Sequence, residues 1–157
     1  MQPATAIVRG YFLGQQSLSP ALPVMRGISI KAIVLATLAV FGIDIVSGIL
    51  VTVMFSPSLW SLPEDQLQLA IDVLNANPSY LASTLFLGTA STVIGGYLTA
   101  RMANQVPYFN AAGFGLVGLL LGVPLTGDLP FWFRALGLGL TLPAALLGAY
   151  LSKRQGR

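Results

Sequence analysis

Four long apolar stretches constrain the fold of this chain more than any other feature. They cover residues 28–55, 78–103, 107–125 and 130–151. At a helical rise of about 1.5 Å per residue, each stretch is long enough to cross the hydrocarbon core of a bilayer, roughly 30 Å thick. With only 8% charged residues, the chain could not cover a water-soluble surface. We therefore predict an all-α integral membrane protein with four transmembrane helices.

Prolines and turns predict how these helices begin and pair. Pro78 suits the first turn of a helix, where its missing N–H has no helical partner. The turn over residues 126–130 is short, so the third and fourth helices should pack as an antiparallel hairpin. We expect two such hairpins in one transmembrane domain, residues 28–151. A cytoplasmic N-terminal tail, 1–27, and a basic cytoplasmic tail, 152–157, should flank that domain.

A shorter helix is predicted between the first two spans, over residues 62–76. Ser61 and Glu64 have the spacing of a capping box, in which a hydroxyl and a carboxylate satisfy the free amides of a first turn. Apolar side chains then recur on one helical face, at Leu67, Ala70, Ile71 and Leu74. This pattern indicates an interfacial helix whose apolar face rests on lipid or on the bundle.

The distribution of charge predicts the orientation. With four spans, seven of the eight basic residues fall on one side, including the anchors Arg101, Lys153 and Arg154. Glu64, Asp65, Asp72 and Asp128 fall on the other side. Because basic residues favour the cytoplasmic face, we expect both termini in the cytoplasm.

A short pattern occurs twice, as GGYLTAR over residues 95–101 and as GAYLSKR over residues 148–154. It indicates either two hairpins related as a parallel repeat or the recurrence of small, aromatic and basic residues at cytoplasmic helix ends. Extended through Ala103, the first copy resembles the G-G-Y-x-x-A-R-x-A motif of small four-span bacterial membrane proteins. The resemblance covers the second and third spans. It implies a bacterial inner (plasma) membrane and no particular reaction or substrate.

Asp44 is the most informative polar residue, because an ionisable side chain inside a membrane helix costs about 3 kcal/mol on insertion scales. It lies thirteen residues after Lys31, about 20 Å along the axis and near the middle of the bilayer. Its candidate partners in a polar layer at that depth are Ser47, Thr89, Thr92 and Thr141. Three roles are open for Asp44. It could exchange a proton or bind a cation, it could fix the register of the helices through hydrogen bonds, or it could contact a partner subunit.

Glycines in the spans predict close helix packing, above all at Gly95, Gly96, Gly115, Gly118 and Gly122. Gly118 and Gly122 form a G-x-x-x-G pair, which lets two helix backbones approach each other. Packing within the bundle is the nearer explanation, and homodimerisation through the third span is the alternative.

The residue types limit the chemistry. Cysteine and histidine are absent, so thiolate and imidazole chemistry and the common zinc sites are excluded. We expect no enzyme activity, no cofactor and no nucleic-acid partner, since the basic residues form no stripe.

The best hypothesis is a small structural or accessory protein that stabilises or regulates a larger membrane assembly. Its partners would be the lipid bilayer and either another membrane protein or further copies of itself. The alternative is a small oligomeric proton- or cation-coupled transporter or channel that uses Asp44.

Overall fold

The computed structural model describes residues 27–103, 105–127 and 129–155. Five α-helices follow one another in these residues: α1 (Ile30–Phe55), α2 (Glu64–Ala76), α3 (Pro78–Met102), α4 (Pro107–Leu125) and α5 (Phe131–Gln155). A single 3-10 turn, Leu59–Ser61, precedes α2, and the described residues contain no strand. Four of the helices, all except α2, are long and apolar enough to cross a membrane. The prediction of an all-helical chain with four helices able to span a membrane is thus confirmed for the described residues. The predicted N-terminal tail, except Gly27, lies outside the described residues.

Local capping explains where two of the long helices begin. The Ser29 hydroxyl accepts a hydrogen bond from the Ala32 amide at 3.3 Å and caps α1. The Asn77 side chain accepts from the amides of Ser79 and Tyr80, at 2.9 and 3.3 Å, directly before α3. Pro78 occupies the first turn of α3, as predicted, because a proline there leaves no helical hydrogen bond unmade.

Two local predictions need correction. The capping box at Ser61 and Glu64 is wrong: α2 begins at Glu64 without a side-chain cap. The Ser61 hydroxyl instead donates to the Ser58 carbonyl at 2.8 Å, because Ser61 belongs to the 3-10 turn. The fourth long helix also continues beyond its predicted end at residue 151, through Lys153 and Arg154 to Gln155. Lysine, arginine and glutamine are good helix formers, and cations are favourable at a helix C-terminus.

Helix α3 is the centre of the bundle. It packs most extensively against α5 and next against α1, while α4 contacts α1, α3 and α5. The α1 and α3 helices run in opposite directions. The hydroxyl oxygens of Thr52, near the end of α1, and Tyr80, at the start of α3, lie 3.2 Å apart, and Val40, earlier in α1, faces Gly95, later in α3. The α3 and α5 helices run in the same direction, with Leu85 near Gly137 and Tyr97 bonded to Gln155.

The bundle has two chemically different ends. The basic end carries Arg101, Lys153 and Arg154, and the acidic end carries Glu64, Asp65 and Asp72. The buried core lies toward the basic end and consists mainly of small residues. One cluster contains Ala36, Val40, Phe114 and Ala145, and another contains Ala100, Ala111 and Ala149. Small side chains let helix backbones approach closely, which is the main source of packing energy between helices in lipid.

Candidate functional site

Asp44 lies on the stripe of α1 that faces the bundle. Ala32, Ala36 and Val40 are buried at intervals of four residues, and Asp44 is the next position in that series. Residues four apart share one helical face, so Asp44 points toward α3. Its side chain is nevertheless exposed, whereas the three residues before it on the stripe are covered. The bundle is therefore open at the point where α1 presents its only carboxylate.

Ser91 on α3 is the internal partner of Asp44. It is 2% exposed, and its hydroxyl donates to Asp44 Oδ1 at 2.5 Å. The same hydroxyl lies 2.9 Å from the Gly88 carbonyl. Since one hydroxyl has one proton, Ser91 links the carboxylate to the α3 backbone but cannot donate fully to both.

A cavity of about 180 Å³ adjoins Asp44 between α1 and α3. Its other lining residues are Ser47, Gly48, Thr84, Leu87 and Gly88. A Cβ atom placed on Gly48 or on Gly88 would meet no other atom within 4 Å, so missing side chains create this space. The cavity can hold several water molecules, each of which occupies about 30 Å³ in the liquid.

The predicted threonines lie on the other side of α3. Thr89, Thr92 and Thr141 line a second cavity, of about 190 Å³, between α3 and α5. Their hydroxyls donate to backbone carbonyls of their own helices, at Leu85, Gly88 and Gly137, over 2.7, 2.7 and 2.8 Å. Thr84 and Gly88 line both cavities. The predicted polar layer is thus divided by α3, with Asp44 and Ser47 on one side and the three threonines on the other.

All five glycines predicted to pack face another helix of the same chain. Gly95 lies against Phe114 and Val40, and Gly96 lies against the backbone of Ala145. On α4, the nearest neighbours of Gly115, Gly118 and Gly122 are Leu142, Thr141 and Leu138 of α5. The G-x-x-x-G pair is therefore used inside the bundle.

Gly148 also lies at a close contact between two helices, although it was not among the glycines predicted to pack. A Cβ on Gly148 would collide with the backbone of Val93 and Tyr97, just as one on Gly96 would collide with Ala145. Both glycines belong to the twice-occurring pattern, so the two copies meet where α3 and α5 pack most closely. Gly148 corresponds to Gly95 in the first copy, which instead lies against Phe114 and Val40, so the contact joins non-equivalent positions and a common origin of the two halves stays a prediction.

The three predicted basic anchors lie together at the basic end. Arg101 Nη1 donates to the Tyr97 hydroxyl at 2.7 Å, and that hydroxyl donates to Gln155 Oε1 at 2.8 Å. Lys153 Nζ lies 5.5 Å from the centre of the Tyr108 ring, and Arg154 lines the same cleft. The hydrogen bond between Tyr97 and Gln155 joins α3 to α5, and the contact of Lys153 with Tyr108 joins α5 to α4.

Asn110 is a structural residue that the sequence reasoning missed. It is completely buried; its Oδ1 accepts from the Ser29 amide at 2.7 Å, and its Nδ2 lies 3.0 Å from the Gly27 carbonyl. Nδ2 also lies within 3.1 Å of the Gln105 and Val106 carbonyls. Asn110 thereby fastens the start of α1 to the start of α4. The signal was a strongly polar amide three residues inside an apolar span, where such a group needs partners.

Comparison with protein-family models, with curated proteins and with solved structures finds no significant match for this chain. Among the described residues, no group of three or more acidic residues could hold a metal ion. Asp128, predicted on the acidic side, lies outside the described residues. The candidate site therefore rests on the geometry around Asp44 alone.

Proposed function

We propose that this chain is an accessory component of a larger membrane assembly and that the exposed side of Asp44 contacts a polar group of a partner protein. The observation that carries this proposal is the position of Asp44, on the inward stripe of α1 but uncovered. In this proposal a polar side chain of a partner helix reaches the cavity beside Asp44, between α1 and α3.

The energetics of Asp44 support a partner. A carboxylate in the membrane interior costs about 3 kcal/mol on insertion scales, and an interhelical hydrogen bond returns on average about 0.6 kcal/mol. Ser91 provides one such bond, which leaves most of the cost unmet within the described chain. Protonation of the carboxyl group, water in the adjoining cavity and a donor from another protein would each lower this cost, and we assign the remainder to a donor from a partner.

The burial of α1 agrees with this view. Only 11% of its most apolar stretch is buried inside the bundle, against 22% for each of the other three long helices. Lipid satisfies exposed apolar side chains such as Leu38 and Phe41, but it does not satisfy a carboxylate. The partner contact is therefore expected at Asp44 itself and not over the whole helix.

A transporter is the second candidate, and the cavity beside Asp44 is the observation that favours it. Water there would let Asp44 exchange a proton or bind a cation. Against this, α3 lies between the two cavities, and the close contacts at Gly96 and Gly148 fill the α3–α5 interface on the basic side of them. A path through one copy would need these helices to separate, so the accessory function is preferred.

The proposal includes a membrane arrangement. Two hairpins, α1 with α3 and α4 with α5, cross a bacterial inner membrane, with both termini and the basic end in the cytoplasm. The excess of basic residues at that end supports this orientation. Helix α2 then lies at the outer interface, with Leu74 buried and Leu69 and Val73 exposed at 68% and 64%.

The test is purification of the tagged, full-length protein in mild detergent, with mass and co-purifying proteins determined for wild type, Asp44→Asn and Ser91→Ala. Ser91→Ala is the matched control, because it removes the internal hydrogen bond and leaves the carboxylate. We expect a defined hetero-complex with wild type and with Ser91→Ala, and loss of the partner with Asp44→Asn.

Two other outcomes are informative. Loss of the complex in both variants would mean that Asp44 acts only by fixing the register of α1 on α3. A homo-oligomer without a second protein would overturn the accessory function and make transport the leading hypothesis. Proton flux into liposomes, compared between wild type and Asp44→Asn, would then decide it.

A further inference from the structure

We propose that a cleft at the basic end, between α4 and α5, binds the phosphate-bearing headgroup of an anionic phospholipid. The cleft has a volume of about 340 Å³ and is lined by Tyr108, Tyr150, Lys153 and Arg154. We call it the basic cleft. It is separate from Asp44, so this inference does not depend on the proposed function.

One of the two cations of the basic cleft lies over an aromatic ring. Lys153 Nζ lies over the ring of Tyr108, 5.5 Å from its centre, which holds the ammonium group at the mouth of the cleft. Arg154 adds a planar guanidinium, whose paired donors match the oxygen atoms of a phosphate. The hydroxyls of Tyr108 and Tyr150 can donate to the same group.

Acidic side chains do not neutralise this cleft within the described residues. The four acidic residues described there lie elsewhere: Asp44 in the middle of α1, and Glu64, Asp65 and Asp72 at the acidic end. Arg101 does not line this cleft, and its guanidinium donates to the Tyr97 hydroxyl on α3. The positive charge of Lys153 and Arg154 is therefore available to an anion from outside the chain.

The surroundings of the cleft indicate a lipid as the source of that anion. Leu146 and Leu147 precede Tyr150 by one helical turn on the side toward the bilayer centre, and they are 39% and 50% exposed. On α4, Phe109 is 60% exposed next to Tyr108. A ligand with a phosphate and acyl chains would fill both the polar cleft and this apolar surface. Basic pockets between membrane helices commonly bind anionic headgroups in this way.

The experiment measures lipid binding to the full-length protein by native mass spectrometry. Phosphatidylglycerol and phosphatidylcholine with identical acyl chains are titrated separately into wild type, into the double variant Lys153→Gln/Arg154→Gln and into Arg101→Gln. The last is the matched control, since it removes one positive charge at the same end but outside the cleft. Helical circular dichroism verifies that each variant is folded.

We expect wild type to bind phosphatidylglycerol at least tenfold more tightly than phosphatidylcholine. The double variant should lose about 30-fold in affinity for phosphatidylglycerol, since each basic residue at an anionic surface contributes roughly fivefold. Arg101→Gln should retain the wild-type affinity. Tyr108→Leu, which keeps both charges but removes the ring under Lys153, should lose a few-fold.

Three results would overturn the proposal. The first is unchanged phosphatidylglycerol affinity in the double variant, and the second is an equal loss in Arg101→Gln, which would indicate general charge attraction. The third is displacement of phosphatidylglycerol by an equal concentration of inorganic phosphate, which would assign the cleft to a soluble anion.

Discussion

The close contact between α3 and α5 makes a quantitative prediction for Gly148→Ala. A Cβ at this position would overlap most closely with the Val93 carbonyl oxygen, and it would also lie 2.5 Å from the Tyr97 amide nitrogen. These are backbone atoms and cannot rotate out of the way. Ordinary contact requires roughly 3.5 Å, so the two helices would have to separate by about 1 Å along their most extensive interface.

The expected cost is about 1–3 kcal/mol, the range found when a well-packed core receives an extra methyl group. Gly139→Ala on the same helix is the matched control, because a Cβ there meets no atom within 4 Å. Alanine has a higher helix propensity than glycine by about 1 kcal/mol, so this control should be neutral or stabilising. The difference between the variants should thus be about 1–4 kcal/mol.

The assay is unfolding of the purified protein in mixed micelles with increasing SDS, followed by circular dichroism. The free energies of unfolding of wild type, Gly148→Ala and Gly139→Ala are compared under identical conditions. If Gly148→Ala were as stable as Gly139→Ala, the α3–α5 backbone contact would not stabilise the bundle, and the reasoning above would be refuted.

Three further predictions concern other parts of the structure. Asn110→Ala should lower the free energy of unfolding by about 3 kcal/mol in the same assay, because the Ser29 amide and the Gly27 carbonyl lose a buried partner; a loss under 1 kcal/mol would contradict this. Tyr80→Phe, which removes only the contact with the Thr52 hydroxyl, should cost about 0.6 kcal/mol. In a Trp132→Phe background, Trp60, 67% exposed in the turn that leads into α2, should be quenched by lipids brominated near the headgroup if this turn and α2 lie at the interface, and should not be quenched if they extend into water.

The sequence predicted the helices well because hydropathy and capping are local properties. The third span, residues 107–125, is the helix Pro107–Leu125, and Pro78 begins α3 as expected. Errors occurred where a residue had several local options. Ser61 could cap α2 or close the preceding turn, and only the geometry of Leu59–Ser61 decided for the turn.

The candidate site was predicted only in part. Asp44 was recognised because a lone carboxylate in an apolar span is costly wherever the helix packs. Its partner Ser91 was not selected over Thr89 and Thr92, because residues this close in sequence differ in depth by a few ångströms and are separated mainly by the face they occupy. Which face of α3 meets α1 is a relation between two helices, and a single-helix pattern does not contain it.

The sequence by itself determined that this chain has four helices able to span a membrane, where they begin, and that a carboxylate lies in the first. Each of these follows from the free energy of placing a segment in lipid, which depends on that segment alone. Only the tertiary structure decided that α3 packs most extensively against α5, that Asn110 fastens α1 to α4, and that Asp44 bonds to Ser91 beside an open cavity. These arrangements depend on how closely two backbones approach, which the glycines permit but do not specify.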